Sequence, residues 1–267
     1  MDQYTQKEMV RARYGGIAEA AGAASCCAPA APSASCCGDA TPGTPESKSR
    51  RMGYSEAELA AVPEGANLGL GCGNPQAIAA LKPGETVIDL GSGAGFDCFL
   101  AAGQVGETGR VIGVDMTHEM LKKARDNAAK IDAHNVEFRL GELEHLPVAD
   151  NTADVILSNC VINLVPDKAQ VFREAFRTLK PGGRLAISDV VNKAPLPAQL
   201  KSDPALLCGC IAGAATIAET KAWLAEAGFV DVLITPKDES RELISTWAPG
   251  SRIEDFVVSA AVEARKP

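Results

Sequence analysis

Apolar positions follow two rhythms along the chain. From residue 86 onward, short aliphatic runs alternate with stretches whose apolar positions recur every three or four residues, as strands and helices would in turn. Val87-Ile88-Asp89-Leu90, Arg110-Val111-Ile112-Gly113-Val114-Asp115 and the run 153–158 are largely apolar, which marks strands covered on both faces, and 136–140 and 184–189 read as further strands. Helices are predicted over 96–104, 167–180 and 217–227. A further one, started by Thr117 with Glu119 in its first turn, buries Leu121, Ala124, Ala128 and Ile131. In 167–180, Asp167 and Gln170 form a D-x-x-Q start, Val171, Phe172, Ala175, Phe176 and Leu179 face inward, and Pro181-Gly182-Gly183 is the stop. Runs 230–235 and 256–262 complete the pattern, which predicts an α/β fold around a mostly parallel sheet with right-handed crossovers.

Upstream of the alternation the pattern changes. Met9, Val10, Tyr14 and Ile17 stand at near-helical spacing and predict a helix over 6–21, placed to act as a lid. Residues 23–51 are rich in Ala, Pro, Ser, Gly and Thr and carry Cys26-Cys27 and Cys36-Cys37; such a segment cannot bury enough to fold alone and is expected to be a flexible thiol arm. A short helix is predicted over 54–61, with Ser55 and Glu58 as its capping box. The glycine-rich stretch 63–75 then places Cys72 between Gly71 and Gly73, which predicts a loop that leaves the sulfur unshielded.

Composition narrows the partners. The chain has 267 residues, 46% of them hydrophobic but only 4% aromatic, so the core is built from Ala, Val, Leu and Ile. A net charge of −8 without a basic block argues against nucleic acid and for a small-molecule substrate. No apolar run reaches about 18 residues and the start Met1-Asp2-Gln3 has no basic n-region, so neither a membrane span nor a signal peptide is expected and the location is read as cytoplasmic. Nine cysteines, an odd number without an export signal, are expected to be reduced thiols that bind or react.

Chemistry concentrates at strand ends. After Asp89 the turn Gly91-Ser92-Gly93-Ala94-Gly95 leads into a helix. The spacing is G-x-G-x-G, and Phe96 fills the sixth position of the dinucleotide fingerprint, which favours a nucleoside without a pyrophosphate. Asp115 ends the next strand about 20 residues on, where a carboxylate accepts ribose hydroxyls. Together they predict an adenosine pocket. Glu142 or Leu143, at the end of the third strand, is a candidate to flank the adenine, and Cys160, at the end of the fourth, is expected to face the ligand's reactive part. The excursion 192–216 carries Cys208 and Cys210 and is expected to close over the same crevice. Cys98 reads as core, and His118, His134 and His145 as helix start, turn and loop.

Asp89-Leu90-Gly91-Ser92-Gly93-Ala94-Gly95 followed by Asp115 resembles the cofactor site of class I S-adenosylmethionine-dependent methyltransferases. Gly71-Cys72-Gly73, Ser158-Asn159-Cys160-Val161-Ile162-Asn163-Leu164-Val165-Pro166-Asp167-Lys168 and Cys210-Ile211-Ala212-Gly213-Ala214 are similar to stretches of arsenite S-adenosylmethionine methyltransferases. The likeness spans about residues 54–235. It implies a Rossmann-like fold with a seven-stranded sheet. It also implies arsenic held by Cys72, Cys160 and Cys210, and S-adenosylmethionine bound by Asp89, Gly91, Ser92, Gly93, Asp115, Met116, Glu142, Leu143 and Ser158. The N-terminal cysteine pairs become relay or redox thiols, and a thiol reductant, cellular or of thioredoxin type, a co-substrate. The organisation so implied is an N-terminal helix (1–22), a cysteine-rich arm (23–53), a cofactor-binding core (54–190), a substrate-binding insertion (191–216) and the completion of the sheet (217–267). Two other readings remain: a methyltransferase of a quinone or other small organic substrate, which has no use for three loop-borne thiols, and a thiol-based metalloid-sequestering protein, which has no use for the nucleoside turn.

Overall fold

The computed structural model describes residues 2–20 and 43–267; the thiol arm with Cys26, Cys27, Cys36 and Cys37 lies outside them. In chain order the elements are α1 (Gln3–Ala20), α2 (Pro45–Arg51), α3 (Glu56–Ala60), α4 (Gln76–Ala79), β1 (Thr86–Leu90), α5 (Phe96–Val105), β2 (Arg110–Asp115), α6 (His118–Lys130), β3 (Val136–Leu140), β4 (Ala153–Asn159), α7 (Lys168–Thr178), β5 (Leu179–Asn192), α8 (Ala198–Lys201), α9 (Pro204–Cys208), β6 (Ala215–Thr216), α10 (Ile217–Ala227), β7 (Val230–Lys237), α11 (Arg241–Ser245) and β8 (Val257–Arg265). Seven strands follow the order β3-β2-β1-β4-β5-β8-β7, and the two-residue β6 adds beside the end of β5. Strands β1 to β5 run parallel, and β8 is antiparallel to both its neighbours. The alternation predicts the mostly parallel sheet, and the resemblance implies its Rossmann-like, seven-stranded form; the structure has both.

Side chains of one strand serve two cores. Ile88 and Leu90 of β1 pack under α7 and α10 with Val171, Phe172 and Leu224, whereas Val87 faces the opposite layer with Cys98, Phe99, Leu121 and Ala124 of α5 and α6. All are buried, which is why these strands lack a polar alternation. Strand order reverses between β1 and β4, and a parallel sheet opens a crevice there, beyond the strands' carboxyl ends.

Three local expectations change. Ile131 is exposed, and the buried stripe of α6 runs instead through Met120, Leu121, Ala124 and Asn127, because the helix ends at Lys130. Thr117 precedes that helix without a side-chain cap; its amide donates to Asp115 at 2.7 Å. Pro181-Gly182-Gly183 is no simple helix stop. Helix α7 ends at Thr178 and β5 begins at once, pairing Leu179 with Ala153 across a register shift. The final carbonyls of α7 are met by the Lys266 ammonium, which donates to Phe176 O at 2.8 Å and Leu179 O at 2.7 Å.

Gly95 is the wedge point between sheet and helix. It holds φ +93°, and a Cβ there would stand 2.7 Å from the Phe99 ring and 2.9 Å from the Phe138 ring, two rings already packed edge to face. Gly95→Ala is therefore expected to destabilise the chain by about 2 kcal/mol, read as a lowered midpoint in urea at unchanged slope; an unaltered midpoint would contradict this packing.

Candidate functional site

A crevice opens over the carboxyl ends of β1, β2 and β4. Gly91, Ser92, Gly93, Asp89, Asp115, Met116 and Leu143 line it, as do Asn159 and Cys160. The glycines have unlike surroundings. A Cβ on Gly91 would strike Val161 at 2.6 Å, whereas one on Gly93 would meet only Met120 Sδ, at 4.0 Å. Gly91 is thus a point of close packing, and Gly93 the open floor of the crevice. Both oxygens of Asp115 are oriented by backbone donors, Gly93 N at 2.9 Å and Thr117 N at 2.7 Å.

Three carboxylates give the crevice its electrostatic character: Asp89 and Asp97 are buried, and Asp115 is half-buried at its rim. Burial raises the pKa of Asp115. Burial first, and then the nearby charge of Asp97, push Asp89 well above the usual carboxylate range. Burial also raises Asp97, against donors that lower it: Tyr54 Oη at 2.7 Å and Asn159 Nδ2 at 3.3 Å. A bound cation would repay the cost of keeping these acids ionised. Ser92 Oγ is buried without a hydrogen-bond partner, a further place for a ligand's polar group. These features fit a positively charged nucleoside.

Two of the expected cofactor residues sit elsewhere. Glu142 turns from the crevice to α1, pairing with Lys7 Nζ and Arg11 Nη2 at 2.7 Å each. Glu144 takes the other contact of Lys7, at 3.0 Å. Ser158 is fully buried and lies under the crevice, with its hydroxyl directed at Leu90 O, 3.4 Å away. The predicted N-terminal helix is present as α1. It crosses the crevice with Lys7, Val10 and Tyr14 facing in, donates from Gln6 Nε2 to Leu164 O at 2.9 Å, and reaches Cys208 O from Tyr14 Oη at 3.2 Å.

Cys72, Cys160 and Cys210 come together at the crevice's inner end. The Cys160 thiol meets both the Cys210 and the Cys72 thiols, and these contacts, followed by burial, push its pKa well up, so it stays protonated. All five described cysteines are thiols rather than disulfides. Each member of the trio is positioned by backbone. Cys160 follows β4 with φ +56°, its amide donating to Ser188 O at 2.8 Å. Cys210 follows α9 with φ +63°, its thiol donating to Cys160 O at 2.7 Å. Cys72 donates its amide to Asn159 Oδ1 at 3.1 Å and accepts from Ser259 Oγ at 2.7 Å.

Cys72 is not unshielded: it is 3% exposed. Its flanking glycines serve close approach instead. A Cβ on Gly71 would meet the Asn159 amide at 2.9 Å and one on Gly73 the Ser188 hydroxyl at 2.7 Å, so only glycine lets this loop settle on the ends of β4 and β5. Gly213 does the same for the insertion, where a Cβ would collide with the Asn163 carbonyl. Cys208 is buried beside Cys210, Val10 and Leu164. Cys98 is core, as expected, with its thiol 3.2 Å from Asp89 Oδ2. His118 begins α6, His134 pairs on the surface with Asp132 at 3.0 Å, and His145 lies in the turn after β3; none lines the crevice.

Sequence reading did not single out four participants. Asn159 ties the thiol loop to the acids: its Nδ2 faces Gly73 O at 2.8 Å, Tyr54 Oη at 3.0 Å and Asp97 Oδ2 at 3.3 Å. Asp97 stands directly after the glycine turn, and Tyr54 is the far end of its hydrogen bond. Asp189 is a lone acid inside the apolar run of β5, a signal that was available. It accepts from Asn163 Nδ2 at 2.9 Å, Val190 N at 2.7 Å and Ile162 N at 3.1 Å, and burial raises its pKa to about 6.

Comparison with known proteins agrees with this architecture. The family described as Methyltransferase domain matches residues 81–228. The arsenite methyltransferase of Halobacterium salinarum is 56% identical over 266 residues, covering 100% of this chain and 68% of its own. The human arsenite methyltransferase is 43% identical over 137 residues, 48% of this chain and 36% of its own, so the chain matches little more than a third of that longer protein. Among solved structures, an arsenic (III) S-adenosylmethionine methyltransferase from Chlamydomonas reinhardtii superposes with a TM-score of 0.59 at 30% identity, covering 84% of this chain and 74% of that one. Glycine turn, strand order and likeness over the whole of this chain converge, and the chain belongs to the arsenite methyltransferase family of S-adenosylmethionine-dependent enzymes.

Proposed function

We propose that this protein transfers methyl groups to trivalent arsenic held by Cys72, Cys160 and Cys210. The observation that carries the reading is the meeting of three thiols, from three separated loops, beside a crevice built for a cationic nucleoside. Arsenite at neutral pH is uncharged arsenous acid with three hydroxyls. Each thiol that bonds to arsenic gives its proton to a departing hydroxyl, which leaves as water, so a thiol held protonated, as that of Cys160 is, suits the substrate. Soft trivalent arsenic takes three sulfur ligands and keeps a lone pair, so no general base is required. S-adenosylmethionine, when bound, supplies an electrophilic methyl carbon on a sulfonium.

The chain's own contribution is binding and alignment. Asp115 and the floor at Gly93 would hold the nucleoside, with Met116 and Leu143 at its apolar faces, while Asp89 and Asp97 would favour the positive charge. Cys160 lies in both sets of lining groups, so the arsenic it carries would face the reactive part of the donor. Helix α1 and the insertion 191–216 would exclude water from above. As the arsenic lone pair bonds the methyl carbon, that carbon's bond to sulfur would break with its electron pair left on sulfur; arsenic is then formally pentavalent, and two electrons from a dithiol, which closes to a disulfide, return it to the trivalent state. A cellular thiol of thioredoxin type is the expected donor of these, with the Cys26-Cys27 and Cys36-Cys37 pairs as candidate relays. The substrate is arsenite or its thiol conjugates. The reaction suits a reducing compartment such as the cytoplasm; among the described residues no helix is long and apolar enough to cross a membrane.

Purified protein incubated with arsenite, a thiol reductant and S-adenosylmethionine is expected to yield methylated arsenicals on speciation. Methylation of a quinone with none of arsenic would replace this reading. Cys160→Ser is expected to reduce arsenite methylation to background while S-adenosylhomocysteine affinity by calorimetry stays within about threefold. Asn159→Leu removes the amide between the thiol loop and the acid pair and leaves buried partners unsatisfied. It should cost about 2–3 kcal/mol in denaturant titrations and weaken arsenite binding more than S-adenosylhomocysteine binding.

A further inference from the structure

Cys72 and Cys160 belong to two donor triangles. One is completed by Cys210, whose thiol meets that of Cys160. The other is completed by Asp189: ligand atoms of Cys72, Cys160 and Asp189 all lie within 4.8 Å of one another, in a group that does not include Cys210. We propose that this second triangle binds a divalent cation of the zinc and cadmium class, which thereby competes with arsenite for the two shared sulfurs.

The chemistry of the two triangles differs. Trivalent arsenic is satisfied by three sulfurs, and a hard carboxylate adds nothing to it. A closed-shell divalent ion prefers four ligands in a tetrahedron and accepts sulfur and carboxylate oxygen together, with water in an open position. The required contraction is small, since zinc–sulfur bonds of ~2.3 Å place tetrahedral sulfurs ~3.8 Å apart.

Asp189 is held as metal-ligating carboxylates usually are, by other hydrogen bonds. Oδ1 accepts from Asn163 Nδ2 and Val190 N and Oδ2 from Ile162 N, with the Asn163 backbone amide also turned to the carboxylate, so the group is fixed in place to offer an oxygen to an ion. Charge also balances. Two thiolates and a carboxylate carry three negative charges, a divalent ion offsets two of them, and Lys168, which interacts electrostatically with Asp189, supplies the third. Binding releases the two thiol protons to solvent.

The competition rests on the proposed arsenic site, but the cation site does not, and titration of the full chain with Cd(II) separates them. The cadmium–thiolate charge-transfer absorbance of the native protein is expected to report two thiolates per ion; an intensity for three would overturn the proposal. Cys210→Ser should keep Cd(II) affinity within about threefold while losing arsenite at least about tenfold. Asp189→Asn should weaken Cd(II) about tenfold or more, and by more than it weakens arsenite. Equal losses of both would mean that Asp189 acts only by placing the Cys160 loop, and would overturn the proposal. Cd(II) that binds with the expected donors but is not displaced by arsenite would leave the cation site standing and remove Cys72 and Cys160 as arsenic ligands.

Discussion

The structure turns on how closely two loops approach the ends of β4 and β5. Gly71, Gly73 and Gly213 each stand where a Cβ would collide with Asn159, Ser188 or the Asn163 carbonyl. Because nothing intervenes, Cys72 and Cys210 arrive beside Cys160 as part of the packed backbone, and the Asn159 amide fastens the first loop at both its oxygen and its nitrogen. A thiol trio assembled this way is fixed by packing, with Cys160 as the shared neighbour of the other two thiols and no cross-link among them. What it carries instead is backbone strain at Cys160 and Cys210, both non-glycine residues at positive φ, a cost on the order of 1–3 kcal/mol each that the surrounding contacts must hold in place.

The same strand end connects the two halves of the site. Asn159 reaches Tyr54 and Asp97, and Asp97 is electrostatically linked to Asp89 on the crevice floor. Any change in charge at the acids is therefore felt one hydrogen bond from the thiol loop. Such a short, largely buried path transmits more than surface charges could. Helix α1 adds a second connection, since its basic residues grip the β3–β4 acids while Tyr14 rests against the cysteine loop.

Much of the fold was legible because parallel strands covered on both faces leave continuous apolar runs, as in β2, which falls on its predicted limits; β3 also falls on its limits, although its apolar residues alternate with Glu137 and Arg139 and only Phe138 is buried. What failed were readings that treated one residue as a local sign. Ile131 continued an apolar period beyond the point where the chain leaves α6. Pro181-Gly182-Gly183 looked like a helix terminator because pairing of Leu179 with Ala153 is invisible locally. Glycine on both sides of Cys72 was read as a device for exposure, although glycine permits close approach equally well, and only the position of Asn159 and Ser188 decides between them. Glu142 was placed by strand-end logic, but Lys7 and Arg11, more than 130 residues earlier in the chain, decide which way its carboxylate turns.

Asp189 shows why a site can exceed its motif. A carboxylate in an apolar strand costs desolvation, and here three donors, including two backbone amides, offset part of it. Those donors come from the turn just after Cys160 and from β5 itself, so the acid fixes the loop that presents the central thiol. Yet fixing a loop needs only an acceptor, which an uncharged side chain supplies at a lower cost of burial. The surplus charge is kept within 4.8 Å of two sulfurs and near Lys168. A buried charge retained where a neutral group would hold the same backbone points to a ligand that uses it, and the donor set identifies that ligand as cationic and borderline soft.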